Sequence, residues 1–417
     1  MKKENSIIVA TPVQQHSFRL VEALKKAGYL NKFYTTVYVK EKSLFWKIMG
    51  KMFKKRGKNA IKAKKNAEIG SHTKTLCRFL GLIFYLAVRI NYKLSTIIYV
   101  YLTKRFGKKI AKRAIKENAS AVIMFDYTAV ECFKYLKKKA PNIVRILDMS
   151  SIPTMSIDRI LDNEEKNGYI EHFKYKRMRY SKKYCNYFHQ EIEDTNYFLV
   201  SGTFSYRCLL EENVKPEQCF IVPYGVDLKS FYPNYPKVEN GEINFVYTGR
   251  IEGAKGIIYL LEAFKKLYEN GYKFKLHLVG SVTIDEKYLK KCLDFSVFHG
   301  HVSKKQLIEL YHNSHVFVMC SLWEGLSLSV IEALACGLPC LITTSTGWDN
   351  RIEDGVNGFI IPPANVDAIY EKAKWFIENP TKLAEMSNNT CKAIKNLTWD
   401  DYNRNIANSI DKVFYKV

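Results

Sequence analysis

Two carboxylates stand eight positions apart in the segment WEGLSLSVIEALACGLPC, which runs from Trp323 to Cys340. Glu324 precedes a glycine and is expected in a loop, whereas Glu332 lies in an apolar run that predicts a helix. Carboxylates accept hydrogen bonds from hydroxyl groups, and the unpaired amides at a helix start bind phosphate oxygens. The segment therefore predicts a site for a ligand with a phosphate group between two hydroxyl-bearing ends. We expect hydrogen bonds to the phosphate, and to a sugar as its hydroxyl-bearing neighbour, from the backbone amides of Gly325, Leu326, Ser327, Leu328 and Ser329.

Two cations follow an apolar run in the segment YTGRIEGAKG, residues 247–256. The run ends at Thr248, and Gly249 allows the backbone to turn closely. Arg250 and Lys255 then stand near the start of the next predicted helix, where two cations beside free amides suit a phosphate or diphosphate. Taken alone, the same pattern is also typical of two solvated surface cations.

Short apolar runs alternate with helical segments along most of the chain, which is typical of parallel sheets covered on both faces. The predicted fold is α/β, with two doubly wound Rossmann-like domains that face a central cleft. Ligands of such sheets bind beyond the carboxyl ends of the strands, where the residues named above are expected. The predicted strands are 6–13, 120–125, 143–149, 196–202, 219–225, 244–250, 274–280, 297–302, 315–321, 338–344 and 358–364.

Composition marks the boundary between the two domains. The stretch around 223–242 holds three prolines, two glycines and many polar residues, which is typical of a linker. The predicted divisions are residues 1–225 for the first domain, 226–242 for the linker and 243–397 for the second domain. Residues 398–417 are expected to form a closing helix that returns to the first domain.

The positive charge of the chain is concentrated near its N-terminus. The net charge is +24, and residues 1–120 hold 28 Lys and Arg against 5 Asp and Glu. Its densest part, residues 45–65, has nine basic residues, no acidic ones, and interleaved aromatic and aliphatic side chains. This pattern favours contact with an anionic membrane surface, while a solvated loop and a nucleic-acid site stay open as alternatives.

Nothing in the sequence predicts a membrane span or a disulfide framework. The apolar runs 79–88 and 94–103 are each about half the ~20 residues that a span requires, so we expect partly buried, partly interfacial helices there. The N-terminus is interpreted as a first strand and not a signal peptide. The ten cysteines are scattered, without zinc-site spacing, and we expect free thiols in a reducing cytoplasm.

Residues 245–363 resemble the retaining glycosyltransferases of family 4, which have the two-domain GT-B fold. The family's pair of glutamates is matched by Glu324 and Glu332, and its arginine and lysine after the first strand of the donor domain by Arg250 and Lys255. The small-residue pattern that follows the second glutamate is matched by Ala333, Ala335, Gly337 and Pro339.

The resemblance implies transfer of a sugar from a UDP- or GDP-sugar to a glycan or lipid-linked saccharide, as in bacterial O-antigen, capsule or lipopolysaccharide synthesis. Arg250, Lys255 and Glu324 are expected to act in catalysis. Gly249, Glu332 and the amide-bearing segment 325–328 are expected to bind the donor. No Asp-x-Asp metal clamp is present, so we expect no metal and no other cofactor, with the cations stabilising the leaving diphosphate. The expected location is the cytoplasmic face of the inner membrane.

The first domain departs from the family pattern. TPVQQHSFR, residues 11–19, replaces a glycine-rich loop and places Gln15 and His16 at the expected cleft. Asp126 and Asp148 follow or end predicted strands and are weaker acceptor-side candidates, because a lone aspartate after a strand is often structural. In the second domain, TGWDN at 346–350 stands where the family often has a Gly-Gly pair before a glutamate.

Two other classes of function remain open from the sequence. A GT-B sugar-nucleotide epimerase or phosphorylase would share the cleft, but would need its own acid–base pair or a lysine-bound cofactor. A basic protein that binds membranes or nucleic acid without catalysis would not need the constellation around Glu324. We therefore expect an enzyme, with no nucleic-acid partner.

Overall fold

The computed structural model describes residues 6–13, 16–38, 68–173, 180–234, 238 and 241–415. The predicted basic segment 45–65 and the candidate Gln15 lie outside the described residues. All ten cysteines are free thiols, and only Cys391 is exposed. Among the described helices, none combines the length and the apolar character that crossing a membrane requires.

The first domain is built on a seven-stranded parallel sheet in the order β3-β2-β1-β4-β5-β6-β7. Its inner strands read as continuous apolar runs because helices cover both faces. The strands are β1 (Ile7–Ala10), β2 (Leu30–Thr35), β3 (Thr73–Thr75), β4 (Ala121–Phe125), β5 (Val144–Met149), β6 (Tyr197–Val200) and β7 (Cys219–Ile221). The helices are α1 (Ser17–Lys26), α2 (Arg78–Ile90), α3 (Tyr92–Lys116), α4 (Val130–Lys139), α5 (Thr154–Lys166), α6 (Lys182–Glu193) and α7 (Thr203–Glu211).

The second domain holds a six-stranded parallel sheet in the order β10-β9-β8-β11-β12-β13. Its strands are β8 (Ile243–Thr248), β9 (Phe274–Val279), β10 (Ser296–Gly300), β11 (Val316–Met319), β12 (Cys340–Thr343) and β13 (Gly358–Ile361). Its helices are α8 (Ile257–Glu269), α9 (Glu286–Lys290), α10 (Lys304–His312), α11 (Leu328–Ala335), α12 (Val366–Glu378) and α13 (Leu383–Ala393). The predicted α/β architecture with two doubly wound sheets is confirmed.

The final helix, α14 (Trp399–Tyr415), packs against α1 of the first domain. Tyr29 follows α1, and its hydroxyl donates a hydrogen bond to Asp411 of α14. The Arg19 guanidinium of α1 stands 4.4 Å from the centre of the Trp399 ring. The chain thus crosses between the domains twice, near 223–242 and again before α14.

The strand order reverses once in each sheet, between β1 and β4 in the first domain and between β8 and β11 in the second. Loops leaving neighbouring strands on opposite sides of such a point diverge and open a crevice at their carboxyl ends. His16 follows β1 and Asp126 follows β4, while Arg250 follows β8 and Glu324 follows β11. The sheet topology therefore brings the sequence candidates to the two crevices.

Candidate active site

The loops after β8 and β11 are held together by backbone contacts. The Leu322 amide donates to the Ala254 carbonyl at 3.0 Å. Gly256 has φ +65°, and a Cβ placed there would lie 1.7 Å from the Cys320 carbonyl oxygen, so only glycine fits. This close approach starts α8 directly beside the end of β11. It carries Lys255, the preceding residue, to the loop that bears Glu324.

Lys255 and Glu324 form an ion pair in which the Lys255 ammonium donates to Oε1 of Glu324. The same oxygen accepts a hydrogen bond from the Ser321 hydroxyl at 3.0 Å. Both charged side chains are largely buried, with exposed fractions of 18% for Lys255 and 12% for Glu324. Two residues predicted to act in catalysis are therefore in direct contact.

Arg250 is the more accessible cation of the predicted pair. Its guanidinium pairs with Glu252 at 3.1 Å and is 59% exposed. The loop itself is fixed, because the buried Tyr247 hydroxyl donates to the Arg250 carbonyl at 2.7 Å and the Gly249 amide donates to Val279 at 2.9 Å. The structure therefore offers an exposed cation on a rigid turn. Sequence reasoning missed its partner Glu252.

The amide nest predicted between the two glutamates is smaller than expected. Helix α11 begins at Leu328, and the Ser327 amide donates to the Thr346 carbonyl at 3.1 Å, so it is not an unpaired donor. The reason is tertiary: the loop after β12 folds over this turn, and the Trp348 indole also donates to the Ser327 carbonyl at 2.6 Å. The amides of Leu328 and Ser329, in the first helical turn, have no carbonyl partner within the helix.

Glu332 lies on α11, apart from the other candidates. It is half-buried, and burial raises its pKa to about 7, against the opposing effects of the Lys304 charge and of a hydrogen bond from Tyr311. The Tyr311 hydroxyl also contacts Thr248, at the carboxyl end of β8, at 2.7 Å. Glu332 is thereby tied to the strand end that carries Gly249, although it does not line the cavity that Glu324 enters.

A cavity of about 540 Å³ separates the two domains. The second domain contributes Arg250, Lys255 and Glu324 to its wall, and the first contributes Asp126 and Ser150. Its far wall is formed by side chains of α2 and α3, which are Phe84, Tyr85, Val88, Ser95, Thr96 and Tyr99. Asp126 of the first domain and Arg250, Lys255 and Glu324 of the second thus face one interdomain space.

The structure brings three of the acceptor-side candidates together. The His16 ring lies 3.0 Å from an Asp148 carboxylate oxygen and, at its other nitrogen, 3.0 Å from the Tyr224 hydroxyl. Burial disfavours the charged ring, but the carboxylates of Asp148 and Asp126 outweigh that cost and raise the pKa of His16. Asp126 lines the cavity, while His16 and Asp148 stand behind it.

Asp126 is a buried carboxylate at the end of β4. Burial raises its pKa to about 6, opposed by hydrogen bonds from Ser150, whose hydroxyl donates to Asp126 at 2.7 Å. The following residue, Tyr127, has φ +64°, and its amide donates to the buried Glu191 carboxylate at 2.6 Å. Glu191 therefore holds the turn that presents Asp126. No sequence signal identified it, because it stands 64 positions away from Tyr127.

The domains touch beside the cavity. A Cβ on Gly325 would lie 1.9 Å from the Ser150 carbonyl oxygen, and the Gly325 carbonyl accepts a hydrogen bond from Ser205 at 3.2 Å. The divergent TGWDN loop takes part as well, since Asp349 pairs with Arg207 of α7 at 2.6 Å. This loop is engaged with the first domain in the structure, and its unusual aspartate serves the interdomain contact.

Metal-binding geometry is absent from the described part of the chain, which holds no group of three or more His, Cys, Asp or Glu that could bind an ion. The predicted metal independence remains a prediction.

Residues 231–393, less than half of the chain, match the family model described as Glycosyl transferases group 1. The matched range contains Arg250, Lys255, Glu324 and Glu332.

Curated relatives are similar at low identity. The capsular polysaccharide biosynthesis glycosyltransferase CapM of Staphylococcus aureus is 28% identical over 219 residues, which cover 48% of this chain and 57% of that protein. The UDP-Gal:alpha-D-GlcNAc-diphosphoundecaprenol alpha-1,3-galactosyltransferase of Escherichia coli is 29% identical over 226 residues, covering 49% and 55%. The chain thus spans about half the length of the curated relatives it matches.

Solved structures match over nearly the whole chain. Sucrose-phosphate synthase from Thermosynechococcus elongatus superposes with a TM-score of 0.68 at 17% identity, covering 99% of this chain and 100% of that one. The chain has the GT-B fold. A further GT-B neighbour, Anabaena Alr3699/HepE in complex with UDP-glucose, superposes with a TM-score of 0.58 at 12% identity, covering 98% and 99%. At these identities the likeness establishes the fold alone.

Proposed function

We propose that the protein is a retaining glycosyltransferase that moves a sugar from a nucleoside-diphosphate sugar to a glycan or lipid-linked saccharide in bacterial surface polysaccharide synthesis. The observation that carries the proposal is the joined Lys255–Glu324 unit, which faces Asp126 across an interdomain cavity. It lies within a range that matches a glycosyltransferase family. Relatives named for capsule synthesis and for galactosyl transfer to a diphosphoundecaprenol saccharide support the substrate classes.

The role of the cations follows from the charge that develops on the donor as it reacts. As the bond between sugar and diphosphate breaks, negative charge grows on the leaving phosphate and positive charge on the anomeric carbon. Lys255 and the exposed Arg250 stabilise the negative charge on the phosphate, together with the amides in the first turn of α11. Lys255 is held in place by Glu324 before the reaction. The proposal assigns the neutralisation of the diphosphate to these cations and amides, without a metal ion.

The two glutamates have separate tasks in this proposal. Glu324, held by Lys255 and Ser321, accepts hydrogen bonds from the hydroxyls of the transferred sugar. Glu332, tied through Tyr311 to the end of β8, accepts hydrogen bonds from the ribose diol. The diphosphate lies between them, and the acceptor attacks from the same face as the departing phosphate, which retains the anomeric configuration.

Asp126 is placed to serve the acceptor. It reaches the cavity from the first domain, opposite Lys255 and Glu324. A buried carboxylate can accept a hydrogen bond from the attacking hydroxyl and take up its proton. His16 and Asp148 behind it are positioning residues, because they contact each other and not the cavity.

The location proposed for the enzyme is the cytoplasmic face of the inner membrane. A lipid-linked acceptor resides in that leaflet, and the basic segment 45–65 supplies charge of the matching sign.

The test is a binding and turnover screen with UDP-, GDP- and ADP-sugars. Thermal shift and calorimetry give the donor affinity, and product analysis after long incubation reports the reaction. The proposal expects one nucleotide class to bind and to be slowly hydrolysed to sugar and nucleoside diphosphate. Recovery of an isomerised nucleotide sugar would indicate an epimerase instead, and absence of binding by all donors would refute the proposal.

A further inference from the structure

A second cavity of about 440 Å³ lies between α3 and α6 of the first domain. Its apolar wall consists of the side chains of Ile97, Val100 and Tyr101 on α3 and of Tyr184 and Tyr187 on α6. Pockets in this size range hold drug-sized apolar groups. We call this cavity the α3–α6 groove.

The charged residues of the α3–α6 groove are all basic. Lys104 and Lys183 line it, and none of the aspartates and glutamates that the structure describes does. The Lys104 ammonium stands 4.6 Å from the centre of the Tyr187 ring. An apolar trough with cations along it matches an apolar chain that ends in a phosphate.

The α3–α6 groove adjoins the interdomain cavity. Thr96 and Tyr184 line both spaces. A molecule whose apolar chain lies in the groove can therefore place its polar end at Thr96 and Tyr184, next to Lys183 and beside the space that contains Lys255, Glu324 and Asp126. This is the arrangement that a lipid-linked acceptor requires.

The surface around the groove is unusually apolar. Among the described residues, sixteen large hydrophobic side chains are exposed, and eight of them lie on α2 and α3. Single exposed hydrophobic residues are common on soluble proteins, but a concentration of this kind marks an interaction surface. The eight residues are Phe79, Leu86, Val88, Ile90, Leu94, Ile97, Tyr101 and Ile115.

The charge of α2 and α3 indicates what meets that surface. Residues 78–116 hold ten Lys and Arg and no Asp or Glu. Five of the exposed apolar residues, which are Leu86, Val88, Ile90, Leu94 and Ile97, lie within six positions of Asn91, where the two helices join. We call this region the α2–α3 tip. Most cations of α3 follow from Lys104 onward. Apolar side chains at a tip with cations behind them match an anionic lipid surface, in which the chains are apolar and the headgroups negative.

We propose that the α3–α6 groove binds the proximal part of the apolar chain of a lipid phosphate, while the α2–α3 tip lies in an anionic leaflet. The lipid is the carrier of the acceptor saccharide, so its role in transfer rests on the proposed function. The binding itself does not, and it can be measured without any donor.

Vesicle co-sedimentation tests the surface. Wild-type protein should bind vesicles that contain phosphatidylglycerol, and should bind phosphatidylcholine vesicles weakly. Replacing Leu86, Ile90 and Leu94 together by Ser should lower the partition coefficient by more than about tenfold, since three exposed apolar side chains leave the bilayer. The matched control replaces the exposed Leu228 and Leu293 by Ser, which should leave vesicle binding unchanged.

Calorimetry with farnesyl diphosphate tests the groove, with inorganic diphosphate as the reference ligand. Wild-type protein should bind farnesyl diphosphate at least about tenfold more tightly, because only this ligand buries a chain. Ile97→Glu should abolish that gain without unfolding the protein, since Ile97 is 68% exposed. Ile115→Glu adds the same charge to the same helix outside the groove and should keep the gain.

Equal affinities of the two ligands for wild-type protein, or a gain that survives Ile97→Glu, would overturn the groove assignment. Loss of a dimer in the Leu86, Ile90 and Leu94 variant, without any vesicle binding by wild type, would assign the surface to a second copy of the chain and overturn the membrane assignment. If the protein binds farnesyl diphosphate but hydrolyses no nucleotide sugar, the groove assignment stands and the proposed function is refuted. If the protein hydrolyses a nucleotide sugar but does not bind farnesyl diphosphate, only the groove assignment is refuted.

Discussion

Lys255 and Glu324 form an ion pair across the loops that follow β8 and β11, and the pair faces the interdomain cavity. The glycine at position 256 makes the contact possible, because it allows the start of α8 to approach the end of β11. A preorganised cation and carboxylate at one wall of the cavity can stabilise a leaving phosphate and orient a sugar at the same time.

Lys255→Ala should lower donor turnover by about 10²–10³, the usual effect of removing one preorganised partner of a developing negative charge. Arg250→Ala, at an exposed position, should have a smaller effect of the same sign. The measurement is kcat/KM for donor hydrolysis, with the melting temperature as a check on folding. Lys265→Ala removes a surface cation of α8 and serves as the control. Unchanged turnover in both the Lys255 and Arg250 variants would contradict the diphosphate assignment.

Glu324→Gln keeps the size of the side chain but removes its charge and its ion pair. We expect kcat to fall more than the donor KM rises, because Glu324 positions the sugar that reacts. The double variant with Lys255→Ala should lose less than the sum of the two single effects, since the pair acts as a unit. Full additivity in this double-mutant cycle would show that the two residues act independently.

Gly325→Ala should prevent the domains from meeting. Its Cβ would lie 1.9 Å from the Ser150 carbonyl oxygen, so the second domain must move away. A displacement of about 1 Å at a reacting centre can cost 10²-fold in rate. We expect a similar loss of turnover and a larger radius of gyration by small-angle scattering, with the surface variant Lys265→Ala as control. A compact and fully active alanine variant would show that this contact is not needed.

The pKa of Glu332 predicts how donor binding depends on pH. Burial raises it to about 7, so protonation near neutral pH removes one acceptor for the ribose diol. The donor KM should fall by about two- to tenfold from pH 6 to pH 8, the effect of one hydrogen bond of about 0.5–1.5 kcal/mol. Glu332→Gln should flatten this dependence. An identical pH profile in the variant would exclude Glu332 from donor binding.

Asp126→Asn should slow transfer to the acceptor without weakening donor binding. Removing a group that takes a proton lowers rates by about 10²–10⁴. We therefore expect transfer to aryl glycoside acceptors to fall by at least about 10², with donor affinity nearly unchanged, because Lys255 and Glu332 are intact. Asp194→Asn, which breaks a surface pair with Lys137, is the control. Equal transfer rates in wild type and Asp126→Asn would show that Asp126 does not serve the acceptor.

Sequence reasoning located the inner strands because buried parallel strands are continuous apolar runs. It missed β2, LNKFYT, whose first three residues are only half-buried, and the three-residue edge strand β3. Neither has the apolar run that identified the others. The strand ends at Thr248 and Ser321 were close to the observed ends, so the residues that follow them were correctly expected at the sheet crevice.

Contacts between distant segments could not be predicted in this way. The use of the Ser327 amide by Thr346 depends on how the loop after β12 folds back. The support of the Tyr127 turn by Glu191 depends on how α6 packs. The meeting of Gly325 with Ser150 depends on how the two domains dock. Such relationships arise from packing, and no local periodicity encodes them.

The most direct test of the account is ³¹P NMR of the protein with its best-binding nucleotide sugar in the presence of EDTA. Wild-type protein should release the nucleoside diphosphate slowly, and a saccharide acceptor should accelerate the release. Lys255→Ala should stay folded and lower the release rate by about 10²–10³. Release that requires an added divalent metal would contradict the role given to the cations. Release by Lys255→Ala at the wild-type rate would contradict the central claim that the Lys255–Glu324 pair is the donor site.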